Sequence, residues 1–86
     1  MKIVAGTVVR AKAGRDENRL FAVTQIIDNG YVFISDGDTR KLAKPKKKNI
    51  KHLSVTSAVI DLNEITDKKL KMKLRNTDIP EDESEV

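Results

Sequence analysis

The chain has 86 residues, no cysteine and a net charge of +4. That length makes one domain with a small core, burying only a little over ~60% of the surface its unfolded form exposes. A disulfide framework and a thiolate zinc site are excluded, and no window approaches the ~18 apolar residues of a membrane span, so a soluble, cytoplasmic protein is expected.

The charge is unevenly placed. Residues 1–55 hold twelve Lys and Arg against five Asp and Glu, and residues 56–86 hold five against eight. A basic half followed by an acidic end points to a polyanion partner for the first half.

Thr7 to Ala13 alternates as a strand, with Thr7, Val9, Ala11 and Ala13 on one face and Val8, Arg10 and Lys12 on the other. With Val9 and Ala11 inward, Arg10 and Lys12 are expected outward together. Gly14-Arg15-Asp16-Glu17-Asn18 follows. Gly and Asn reach positive φ at least cost, so a hairpin-like loop with two special backbone positions is predicted. Arg19 to Asp28 reads as a second strand with Phe21 and Val23 in the core, and Asp28-Asn29-Gly30 is the clearest tight-turn signal. Tyr31 to Ser35, aromatic and β-branched, is the third strand. Asp36-Gly37-Asp38 turns again; a short strand is expected around Leu42, and Pro45 is expected to stop regular pairing.

From Thr39 to Leu53 the chain carries seven cationic side chains and no carboxylate. A block this dense repels itself unless a polyanion neutralises it. It opens on an Asp-Gly turn and closes into the apolar Leu53 and Val55, so it reads as a basic loop, residues 39–52, held at both ends by a packed scaffold. Such loops present charge to phosphates. Ile50 to Ile60 is the next extended run. Leu53, Val55, Ser57 and Val59 are expected on the inner face, and Ile50, His52, Ser54 and Thr56 on the outer. Short strands about a dozen residues apart with Gly turns between them indicate a small all-β barrel or curled sheet.

Ile65-Thr66-Asp67 then reads as a helix start, with Thr66 as N-cap and Ile65 stapled to Leu70. Leu70 and Leu74 make a stripe too narrow for an independent helix, so the helix is expected to lean on the sheet. Pro80 and Glu81-Asp82-Glu83-Ser84-Glu85 read as part of a disordered acidic tail. The expected layout is a barrel over 1–60, a C-terminal helical segment over 61–76 and the tail over 77–86.

Gly6-Thr-Val-Val-Arg-Ala-Lys-Ala-Gly14-Arg-Asp-Glu-Asn-Arg-Leu-Phe-Ala-Val23 resembles a KOW motif, the strand–loop–strand unit of many ribosomal proteins and transcription elongation factors. Asp36-Gly37, Arg40-Lys41-Leu42, Lys44-Pro45-Lys46-Lys47-Lys48-Asn49 and Lys51-His52-Leu53 extend the resemblance to the small bacterial KOW-domain RNA-binding proteins. These are relatives of archaeal and eukaryotic large-subunit ribosomal proteins with an SH3-like barrel. The match spans about residues 3–57. Asn18 stands where the family pattern commonly has a second glycine, and Asn tolerates the left-handed region. The resemblance implies an SH3-like β-barrel, RNA binding and a connection to the ribosome.

A merely solubilising surface would mix signs, so the basic segment is read as a phosphate-binding surface. Its five lysines from Lys44 to Lys51, with no arginine among them, suit point-charge contacts to the backbone of RNA. Arg15 and Arg40 are better placed by chemistry for a specific contact, although Arg15 also fits a plain turn residue. His52 fits either a base or phosphate contact or a strand residue without a role. Tyr31 and Phe33 alternate along one strand and are expected as core or helix-docking surface rather than a stacking platform. Aromatics this scarce argue against reading sequence by base stacking.

The RNA-binding candidates are therefore Arg10, Lys12, Gly14, Arg15, Arg40, Lys41, Lys44, Lys46, Lys47, Lys48, Asn49, Lys51 and His52. Ser35, Asp36, Asp38 and His52 supply no nucleophile–base pair, so no catalytic residue, metal or cofactor is expected and the chain is not read as an enzyme. The expected function is non-catalytic binding of structured, ribosomal RNA by a monomer, with ribosomal or transcription proteins as further partners and no membrane association. The alternative is a protein-interaction module that recognises an acidic protein surface. A third is non-specific nucleic-acid association.

Overall fold

The structure, a computed structural model, describes residues 3–12, 14–27 and 30–77. The chain is mostly β: a five-stranded antiparallel sheet and one short helix. The strands are β1 (Thr7–Ala11), β2 (Leu20–Ile27), β3 (Tyr31–Ser35), β4 (Lys46–Asn49) and β5 (Leu53–Val59), and the helix is α1 (Asp67–Arg75). The spatial order is β4-β3-β2-β1-β5, so β4 and β5 are the two edges. No described helix is long and apolar enough to cross a membrane.

Both faces of the sheet are covered. On one, Val9, Ala11, Phe21, Val23, Val32, Ile34 and Leu53 form a buried cluster. On the other, Val8, Ala22 and Ile60 pack with Leu70 and Leu74 of α1. Phe21 and Val23 are thus core residues, as their alternation predicts. Val8, expected on the outer face with Arg10 and Lys12, is fully buried because α1 lies over that face. Burial of Leu70 and Leu74 contributes roughly 1.5–3 kcal/mol each, and this anchoring stabilises a helix only nine residues long.

The start of α1 follows the expected chemistry. Thr66 Oγ1 accepts a hydrogen bond from Lys69 N at 3.2 Å, and Ile65 joins Leu70 in the second cluster. The helix begins where the sequence places its start, after Thr66; ahead of it Asp61 Oδ1 accepts from Asn63 N at 2.9 Å and Glu64 takes φ +55°.

Two corrections concern β5. Its first three expected residues, Ile50–His52, form a 3₁₀ turn, and this resets the alternation so that Ile50 packs against the first cluster. Further on, β5 advances four positions from Val55 to Val59 while β1 advances two from Val9 to Thr7. At this bulge Thr56, expected on the outer face, is buried, and its hydroxyl donates to Val8 O at 2.7 Å. Val59, expected inward, is left 60% exposed. The Asp28-Asn29 half of the expected tight turn and the acidic tail from Asp78 onward lie outside the described residues.

Candidate nucleic-acid interface

The basic segment is not a loop throughout. Lys46–Asn49 is a strand, paired antiparallel to β3 in the register Tyr31↔Asn49, Val32↔Lys48, Phe33↔Lys47 and Ile34↔Lys46. Pro45 does not prevent this pairing, because it stands just before the strand, where its missing N–H is not needed. The strand expected around Leu42 is absent; Lys41 to Lys44 make a turn closed by Lys44 N to Lys41 O at 3.0 Å. Three consecutive lysines are poor strand formers, but at a sheet edge they suppress pairing with another chain. After β4, Asn49 Oδ1 accepts from Lys51 N at 2.9 Å and starts the 3₁₀ turn that presents Lys51 and His52.

Asp36 holds the segment's beginning. Its carboxylate accepts from Asp38 N at 2.9 Å, Arg40 N at 2.8 Å and the Thr39 hydroxyl at 2.8 Å, with the Arg19 guanidinium 3.7 Å away. Asp67, in the first turn of α1, accepts from Leu42 N at 2.7 Å. The Ser35 hydroxyl donates to Lys41 O at 3.2 Å, and Lys71 Nζ lies 3.6 Å from Asp38. The segment is therefore fixed to both the sheet and the helix before it reaches β4.

Asp16 ties the 14–18 loop to the same segment. Gly14 and Asn18 adopt φ +88° and +70°, the two left-handed positions expected. The turn is closed by Glu17 N to Gly14 O at 3.2 Å and Arg19 N to Asp16 O at 2.9 Å. This aims the Asp16 carboxylate at Arg40 Nη2, 3.3 Å away, and at Lys46 Nζ, 3.5 Å away. Close by in sequence, Lys12 N donates to His52 O at 3.0 Å, which joins the end of β1 to the end of the basic segment. Two stretches separated by more than twenty residues thus meet at one rim.

Burial alone would raise the Asp16 carboxyl; the hydrogen bond and charge of Arg40, with Lys46, outweigh it and hold the group below its ordinary value. A carboxyl depressed in the folded state adds stability that is present above its unfolded value, about 3.9, and is lost as pH falls through the folded value. Asp16→Asn removes that contribution. Acid denaturation followed from about pH 5 to pH 2 should therefore show a shallower loss of stability for the variant than for the parent. Parallel curves would mean that the Asp16 contacts do not persist in solution.

The candidates divide accordingly. Arg40 and Lys46 are engaged by Asp16, and Arg40 Nε is buried without a hydrogen-bond partner. Lys41, Lys44, Lys47, Lys48 and Lys51 have no carboxylate partner among the described residues. Gly14, Arg15, Lys12 and His52 are exposed around this rim, whereas Arg10 is half-buried between Leu20 and Ser54 within the sheet. Sequence reasoning left out Asp16 and Asp67, and took Asp36 only as a turn residue. The spacing Asp36-Gly37-Asp38-Thr39 carried a signal for Asp36, since Asp at such a site bonds its own following backbone. Nothing local signalled Asp16 or Asp67, whose partners are 24 and 25 residues away. Among the described residues no group of three His, Asp or Glu side chains could hold a metal ion.

No model of a known protein family matches this chain, and no curated protein matches it.

Proposed function

We propose that the protein is a non-catalytic RNA-binding protein that grips the phosphate backbone of structured RNA, ribosomal RNA foremost, on a KOW-type SH3-like barrel. The observation that carries this reading is the meeting of the 14–18 loop and the 40–52 segment at Asp16, with five further lysines of that segment that have no carboxylate partner among the described residues. Asp16 neutralises part of the positive charge and fixes its geometry; the remaining lysines keep full charge for a polyanion. The barrel reading is supported by five short antiparallel strands whose last member returns to pair with the first. Positive φ at Gly14 and Asn18 supports the KOW reading of the loop.

Lysine ammonium groups act as point charges, so they position an RNA without reading its bases. Titration of a structured RNA against salt tests the mechanism. Five neutralised phosphates give a slope of log K against log salt on the order of −4. A flat profile would remove the electrostatic mechanism, and binding to an acidic protein surface would then have to be examined instead.

A further inference from the structure

Tyr31 and Phe33 do not occupy the place expected of them. Both lie on the face of β3 that continues from Ser35, whose partner Ala22 is buried under α1. Yet among the described residues neither ring joins either buried cluster; both are half-buried at the surface. Their cross-strand neighbours are Gln25 and Ile27 on β2 and Lys47 and Asn49 on β4. The Lys47 ammonium stands 4.8 Å from the centroid of the Tyr31 ring. A cation is thus held over an aromatic face, at the middle of the most basic strand in the molecule.

We propose that this aromatic pair takes an unpaired nucleobase of the bound RNA, in a loop or bulge, with Tyr31 as the stacking surface. The inference rests on the RNA-binding reading above and adds which part of an RNA the protein selects. Residues two apart on a strand share a face about 7 Å apart, so Phe33 flanks a base placed on Tyr31. Without ligand, the Tyr31 quadrupole attracts the Lys47 ammonium. When a base stacks, Lys47 leaves the ring for the phosphate of the same nucleotide, exchanging one electrostatic partner for a stronger one. Asn49, opposite Tyr31, caps the 3₁₀ turn with its Oδ1 and has its side-chain N–H donors to offer the edge of the base. A paired duplex offers no such free base, because its bases are already stacked on one another.

The chain has one tyrosine and two phenylalanines, so ring-proton NMR of the full-length protein reads the site directly. Phe21, fully buried, is the internal control. The probes are a short single-stranded RNA and a fully paired RNA duplex with the same number of phosphates, titrated at low salt. The expected result is an upfield movement of the Tyr31 ring protons with the single strand only, while those of Phe21 stay in place. Tyr31→Leu should lower single-strand affinity by roughly 5- to 150-fold and leave duplex affinity unchanged, and Tyr31→Phe should retain both. If both RNAs bind with the Tyr31 protons unmoved, stacking is overturned and the backbone mechanism stands. Equal losses for both RNAs in Tyr31→Leu also overturn stacking, since they indicate a structural role. If neither RNA binds, both proposals fall together.

Discussion

Gly37→Ala is expected to destabilise the protein by about 2–5 kcal/mol, a large part of what an 86-residue domain has. Two costs combine. Gly37 has φ +77°, where a Cβ is strained by about 1–2 kcal/mol. That Cβ would also collide with Asp67 O and stand 3.1 Å from Lys71 N, and both are helix backbone that cannot swing aside. Relief requires α1 to move off the 36–42 turn, which loosens the Leu42 N to Asp67 bond and the Lys71–Asp38 ion pair. Leu70 and Leu74 would be pulled from the second cluster in the same motion. Gly14→Ala is the matched control: it has φ +88° but open space around the added carbon, so only the first cost applies. In urea the midpoint of Gly37→Ala should fall by about 1–2 M, clearly more than that of Gly14→Ala. Similar midpoints for the two variants would show that the turn and the helix are not in contact in solution.

The elements legible in the sequence were those whose cause is local. β3 occupies Tyr31–Ser35 as its β-branched and aromatic run predicts, Thr66 caps α1 through its own hydroxyl, and Asn18 takes the left-handed conformation its side chain tolerates. The elements missed depend on partners distant in sequence. Lys46–Lys48 is a strand only because β3 offers a hydrogen-bonding edge, and intrinsic propensity argues against it. Val59 is exposed because a bulge against β1 breaks the alternation that placed it inside. Val8 could have been read differently: two adjacent valines in β1, with an amphipathic helix still needing a floor, are the mark of a strand buried on both faces. At the candidate site, the clustering of cations was visible from composition. The division of labour among them was not, because Asp16 sits in another loop.

That division leads to the variant with the largest expected effect on binding. Lys44→Gln/Lys48→Gln/Lys51→Gln removes three cations that have no carboxylate partner among the described residues, and spares Lys46, which Asp16 holds. It also spares Lys47 at the Tyr31 ring. Glutamine keeps most of each side chain's length, and none of the three contributes to a buried cluster, so thermal stability should be close to the parent's. Each lost phosphate contact withdraws nearly one unit from the salt slope. The slope should therefore change from about −4 to about −1, and affinity near 50 mM salt should fall on the order of 10³-fold. The two proteins should converge as salt approaches about 1 M, where counterion release no longer favours binding. Because point charges position the backbone and do not read bases, the loss should be about equal for target and unrelated structured RNAs. Retained affinity with an unchanged slope would place the phosphate contacts elsewhere on the molecule. A loss confined to one RNA sequence would show that these lysines read bases after all.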